Sequence, residues 1–215
     1  FLNVPGVTKA DAYDYSIVGC SEVAFAGRGT EGFAYQGMSS GRFVELMLAG
    51  TDPLTGEPLS IGSMLDWRST EEMMEAVREQ ARRFTRFMFM QVLPLAEAHV
   101  NYRPCPYLSS VTRDCISRGE TYYGGGARYG NGVVNVCYVG IATLGNSIAA
   151  LKKLVFDDRV LTMAQLKHAL ETNFEDTSTT PTGPEIQRLC LSAPKYGNDE
   201  PYVDDIMKDC LNILT

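Results

Sequence analysis

Two periodicities alternate along the chain, and each switch between them marks a change of element. Residues 13–19 (Tyr-Asp-Tyr-Ser-Ile-Val-Gly) form a short apolar run closed by glycine, which predicts a strand delivering Cys20. In extended chain alternate side chains share a face, so Cys20 and Glu22 point the same way and Ser21 the other. From Ser69 the spacing becomes three and four. Met73, Val77, Ala81, Phe84 and Met88 predict a buried helical stripe, opened by a Ser69-x-x-Glu72 capping box and running to about Leu93, where Pro94 kinks it.

Further helices are predicted over Phe43–Leu48, 142–156, from the Thr162-x-x-Gln165 box to about Asn173, over Glu185–Leu191, and over 201–213. The last is expected to be buried through Val203, Ile206, Cys210 and Leu211. Turns are expected at Pro5-Gly6, at Gly50–Pro53 and at Thr55–Pro58, with a short amphipathic lead-in over 1–12 and an irregular stretch over 101–133. Gly27-Arg28-Gly29 lacks the spacing of a nucleotide loop and reads as backbone in close quarters. Gly124-Gly125-Gly126 reads the same way, because three glycines cost entropy and supply no packing.

Composition narrows the chemistry. The 215 residues are 45% hydrophobic and 21% charged, enough for a real core in one domain or one large piece of something bigger. A net charge of −7 argues against nucleic acid, and the Arg78, Arg82, Arg83, Arg86 run has the spacing of a solvated helix face. Six cysteines without a CxxC, and two isolated histidines, His99 and His168, give little support to a zinc site or a secreted disulfide scaffold. Reduced thiols and a cytoplasmic location fit best, and no apolar run approaches the roughly 20 residues of a membrane helix. Cys20 and Glu22 remain the candidate chemistry. Against it stands the commoner role of a lone cysteine as a buried, inert hydrophobe.

Several segments occur in an order that resembles the glycyl radical enzymes related to pyruvate formate-lyase. They are Asp14-Tyr15…Gly19-Cys20-x-Glu22, Thr30-Glu31-Gly32, Gly125-Gly126-Ala127-Arg128-Tyr129, Asn146 through Phe156, Thr162-Met163 and Lys195-Tyr196-Gly197-Asn198-Asp199. The resemblance implies an α/β fold, part of a ten-stranded α/β barrel ringed by helices, with residues 1–215 as one partial barrel domain. Its cysteine loop would span 13–41 and its helical segments 69–93, 142–173 and 185–213. It implies a thiyl radical at Cys20 with Glu22 as proton-transfer partner. No cofactor would be bound by this chain; a partner activating enzyme, using S-adenosylmethionine and a 4Fe-4S cluster, would install the glycyl radical. The glycine motif, of the form R-V-x-G-Y, is absent here, so the chain is expected to be a fragment or a subunit completed by the remaining part of the barrel. A homo-oligomer and an anaerobic setting are also expected.

Where dehydratases and C–N or C–S lyases of that family carry a Trp-His-Asp-like or Trp-His-Thr-like stretch, this chain has Phe33-Ala34-Tyr35-Gln36. Phe33 and Tyr35 would form an aromatic substrate-binding wall, which favours decarboxylation of an arylacetate-type acid. Packing alone also explains the two rings. A dehydratase or C–N/C–S lyase, a non-catalytic structural chain of the same descent, and a thiol hydrolase pairing Cys20 with His99 or His168 are the competing readings.

Overall fold

Side-chain caps written into the sequence start several of the described helices. In the computed structural model, which describes residues 6–19, 22–30, 34–51, 56, 58, 64–130 and 134–214, Thr8 accepts the Asp11 amide at 3.1 Å and opens α1 (Lys9–Tyr13). The chain then folds back on itself in β1 (Ser16–Val18) and β2 (Glu22–Ala24), and later runs through β3 (Ala34–Ser39) and α2 (Arg42–Ala49). The long α3 (Thr70–Tyr102) follows, then α4 (Pro106–Val111), α5 (Cys115–Arg118), β4 (Val134–Val139), α6 (Ile141–Leu151), α7 (Met163–Glu171), α8 (Gly183–Ser192) and α9 (Pro201–Leu214). β1 pairs with β2 and β3 with β4. The described residues divide into two compact units, Phe1–Gln36 with Arg86–Cys137 and Gly37–Thr85 with Tyr138–Thr215.

The second unit is built on a continuous apolar core. Phe43 and Met47 of α2, Met73 and Val77 of α3, Leu144 and Ile148 of α6 and Val203 of α9 are all fully buried there. Each such side chain stabilises the fold by about 1.5–3 kcal/mol through water removed from its surface. Phe43 stacks on Phe84 with centroids 5.5 Å apart and meets Tyr138 edge-on at 5.7 Å. Gly145 lets α6 and α9 approach, since a Cβ there would lie 1.9 Å from the Met207 sulfur. The Thr162–Gln165 capping box forms in full, and α8 has its own in Thr182 and Glu185.

Several boundaries differ from the sequence expectation. α3 does not stop at Leu93 but carries Pro94 within it and continues to Tyr102, since proline removes one intrahelical hydrogen bond while its neighbours keep theirs. Its capping box is half made: Glu72 donates its amide to Ser69 Oγ at 3.3 Å, but its carboxylate accepts from Arg68. The 142–156 helix widens to a π turn over Lys152–Asp157. β1 is shorter than 13–19, because α1 already holds Tyr13. Leu211 is 40% exposed rather than buried. The arginine run behaves as expected of a solvated face, with Arg78 paired to Glu75 and Arg82 3.8 Å from Glu79.

In the first unit, the glycine run is a close approach of backbone, as its composition suggested. Gly125 has φ of +91°, and a Cβ on Gly126 would sit 2.3 Å from the Glu120 carbonyl oxygen. We expect Gly126→Ala to destabilise the protein by about 1–3 kcal/mol through overpacking. Gly119→Ala, where φ is +67° but nothing lies within 4 Å, should cost only about 1 kcal/mol of backbone strain. Chemical denaturation of the two variants measures the difference; equal costs would contradict it.

Candidate active site

The cysteine hairpin is described on both its strands. β1 and β2 are antiparallel with Ser16 opposite Ala24, Ile17 opposite Val23 and Val18 opposite Glu22. That register pairs Val18 with Glu22, which stand two residues before and two residues after Cys20 in the sequence, and Gly19 has φ +61°. Cys20 itself and Phe33 lie outside the described residues. For Glu22 and Tyr35 the backbone is described, in β2 and β3 respectively. Ile17, Val18 and Val23 on the hairpin are exposed within these 215 residues.

Below the hairpin lies a network of charges that the sequence alone did not reveal. Asp11 is a nearly buried carboxylate at its centre. The Tyr129 hydroxyl donates to its Oδ2 at 2.6 Å, the Thr8 hydroxyl at 2.9 Å, and Arg28 Nε stands 3.2 Å from its Oδ1. Those two hydroxyl donors, followed by the charges of Arg28 and Arg128, hold the Asp11 pKa below its ordinary value of 3.8 against the opposing effect of burial. Arg28 reaches on to Asp14, with Nη2 2.5 Å from Oδ2 and Nη1 3.4 Å from the carbonyl oxygen. Arg128 in turn forks onto both oxygens of Asp114 at 2.9 and 3.1 Å, which depresses the Asp114 pKa as well.

Backbone and ring contacts fix the same region. Tyr129 donates its amide to the Arg28 carbonyl at 2.9 Å and accepts from the Thr30 amide at 3.0 Å, and Arg113 donates to the Gly27 carbonyl at 2.8 Å. Phe25 packs on Tyr129 with centroids 4.7 Å apart. The two glycine-rich stretches therefore meet: the bridge between Gly29 and Tyr129 joins Gly27-Arg28-Gly29 to the segment ending Ala127-Arg128-Tyr129.

The remaining candidates have structural work. His168 Nε2 lies 2.7 Å from Asp176, whose pKa falls to about 2 through hydrogen bonds from His168 first and then Ser178. His99 meets the Tyr123 ring edge-on at 5.2 Å. Burial raises the pKa of Cys115, Cys190 and Cys210, the last to about 11, so these thiols stay protonated near neutrality and are poor nucleophiles. Among the described residues no three His, Cys, Asp or Glu side chains cluster as metal ligands. No described helix is long and apolar enough to cross a membrane. A cavity of about 560 Å³ in the second unit is lined by Leu48, Ala150, Leu166, Phe174 and Cys190 among others. Beside it, Lys195 caps the end of α8 through the Cys190 and Ala193 carbonyls, and Asn146 accepts the Tyr196 amide at 2.8 Å.

A family model described as "Pyruvate formate lyase-like" matches residues 2–215. The chain is 36% identical to the probable dehydratase YbiW of Escherichia coli (strain K12) over 94% of its own length and 25% of that protein. It is 38% identical to the 4-hydroxyphenylacetate decarboxylase glycyl radical subunit of Clostridioides difficile (strain CD196), over 45% of this chain and 12% of that protein. The solved B12-independent glycerol dehydratase from Clostridium butyricum superposes with a TM-score of 0.82 at 32% identity, covering 97% of this chain and 26% of that one. The chain belongs to the pyruvate formate lyase-like family of glycyl radical enzymes, and its fold is a part of their α/β barrel. It spans about a quarter of the length of YbiW and of the glycerol dehydratase.

The charge network sets a pH prediction. Asp11 has a folded pKa depressed below 3.8, so its contribution is present above that value and lost as pH falls through the folded pKa. Asp11→Asn should therefore lower the melting temperature at pH 7, and the gap to wild type should close below pH 3.8. A gap that stays constant with pH would contradict the assignment.

Proposed function

We propose that this chain is the cysteine-bearing part of a glycyl radical lyase, with Cys20 as the thiyl site and Glu22 as the proton-transfer residue. The observation that supports the reading is the hairpin register, in which Val18 and Glu22, the residues two before and two after Cys20 in the sequence, are paired and Glu22 begins the returning strand. The glycyl radical, installed in another part of the polypeptide by an activating enzyme using S-adenosylmethionine and a 4Fe-4S cluster, would supply hydrogen-atom abstraction. The residues here do the rest. The Cys20 S–H bond gives up its hydrogen atom, leaving an unpaired electron on sulfur, and the same sulfur returns a hydrogen atom to the product. Glu22 moves the accompanying proton.

The finer reading is decarboxylation of an arylacetate-type acid. Its balance is one arylacetate anion and one proton to one methylarene and carbon dioxide, redox-neutral, so the unpaired electron is recovered each cycle. Glu22 is suited to deliver the proton, and Phe33 and Tyr35 to pack the ring. The likeness to the 4-hydroxyphenylacetate decarboxylase subunit supports this reading. A second reading, dehydration of a small hydroxylated substrate, is supported by the likeness to YbiW, which extends over nearly the whole chain. Either way, the exposed Ile17, Val18 and Val23 are the surface that the remaining part of the barrel would cover.

The test is turnover by the complete polypeptide after anaerobic activation, offered 4-hydroxyphenylacetate and, separately, small diols. We expect carbon dioxide and the methylarene in equal amounts from the arylacetate, and no product with Cys20→Ser, a loss on the order of a thousandfold or more. Dehydration of diols alone would replace the decarboxylase reading with the second one. Turnover retained by Cys20→Ser would remove thiyl chemistry altogether.

A further inference from the structure

We infer that Arg28 and Asp14 are positioning residues for Cys20: a charged clamp across the base of the cysteine hairpin that sets where its tip points. The inference rests on the thiyl reading of Cys20 and adds to it the device that aims the sulfur. Asp14 lies just ahead of β1, with Tyr15 between, and Arg28 lies shortly after β2, and the two side chains join the outgoing chain to the incoming one. Arg28 is only 12% exposed, and its guanidinium spans both Asp14 and the Asp11 carboxylate. Asp11 is tied to Tyr129, and the Arg28 backbone is tied to the Tyr129 amide. One side chain thus connects both ends of the hairpin to a common anchor more than a hundred residues away.

The geometry makes this clamp matter at the tip. The ladder has three paired positions, and a short two-stranded hairpin is marginal by itself in water. Its apolar side chains Ile17, Val18 and Val23 are exposed, so within these residues its firm attachment is at the base. The four steps from Asp14 to Val18 make a lever about 14 Å long, so a tilt of about 10° at the base displaces the tip by about 2 Å. Reacting groups tolerate only about 0.5 Å. Lysine in place of Arg28 has one point charge and cannot fork between two carboxylates.

Hydrogen-atom exchange in heavy water measures the placement without any substrate. In the complete, activated polypeptide the Cys20 thiol becomes S–D. Each round trip between that sulfur and the glycyl radical can leave deuterium on the glycine Cα, so the proton splitting of the electron paramagnetic resonance signal collapses at the exchange rate. We expect Arg28→Gln to slow the collapse about tenfold in the radical-bearing fraction, with a lower melting temperature because Asp11 loses a charge partner, and Arg28→Lys to fall between. Asp14→Asn should slow it less, about threefold. Wild-type exchange in Arg28→Gln and Asp14→Asn, with none in Cys20→Ser, would overturn the clamp and leave the thiyl reading standing. Exchange persisting in Cys20→Ser would overturn the thiyl reading beneath it. Should Arg28→Gln fail to fold or accept the radical, Asp14→Asn decides alone, since its carboxylate is 71% exposed and carries little packing; exchange at the wild-type rate there would overturn the clamp.

Discussion

A hairpin with three paired positions is marginal on its own hydrogen bonds, and that constraint orders the rest of the first unit. What holds it is a carboxylate, Asp11, kept ionised by hydroxyl donors and two arginines and largely withdrawn from water. A charge so placed is costly unless every lone pair is satisfied, which makes the arrangement selective about geometry. Arg28 passes that geometry to both arms of the hairpin, and Tyr129 passes it to the glycine-rich segment behind. The glycines serve the same end. Gly126 lets backbone press on backbone, and Gly29 meets Tyr129 in an isolated bridge.

The two units differ in how much of their apolar surface they bury. The second closes a core around Phe43, Met73, Ile148 and Val203. In the first unit's half of α3, Met88 and Val92 are buried while Phe89 and Met90 are exposed, as are the hairpin residues Ile17, Val18 and Val23. Exposed apolar side chains in such numbers call for a covering surface. The chain spans about a quarter of the length of YbiW and of the glycerol dehydratase, and under the proposed reading the remaining part of the barrel would cover these side chains.

Helices were legible because their signals are local. The Thr162–Gln165 box, the Ser69 start and the Met73–Val77–Ala81–Met88 stripe each lie within a few turns of chain. The Pro94 boundary misled because tertiary packing outweighs the loss of one hydrogen bond. β4 was missed because Val134–Val139 is a short apolar run that periodicity cannot tell from helix, and β3 contains a glycine. Cys20 and Glu22 stood out through their spacing and through the family resemblance. Asp11, Arg28 and Tyr129 did not, since 118 residues separate Asp11 from the tyrosine that bonds it. Only the Gly-Arg-Gly and Ala-Arg-Tyr stretches hinted that backbone and charge met there.

The central claim, that the hairpin presents one sulfur beside one acid inside a closed barrel, is tested most directly by a crystal structure of the complete polypeptide. The account predicts Cys20 Sγ facing an enclosed cavity, with the Glu22 carboxyl on the same side of the hairpin and Arg28 still bridging Asp14 and Asp11. A Cys20 sulfur on the outer surface, or one sealed among aliphatic side chains with no carboxyl near it, would contradict it.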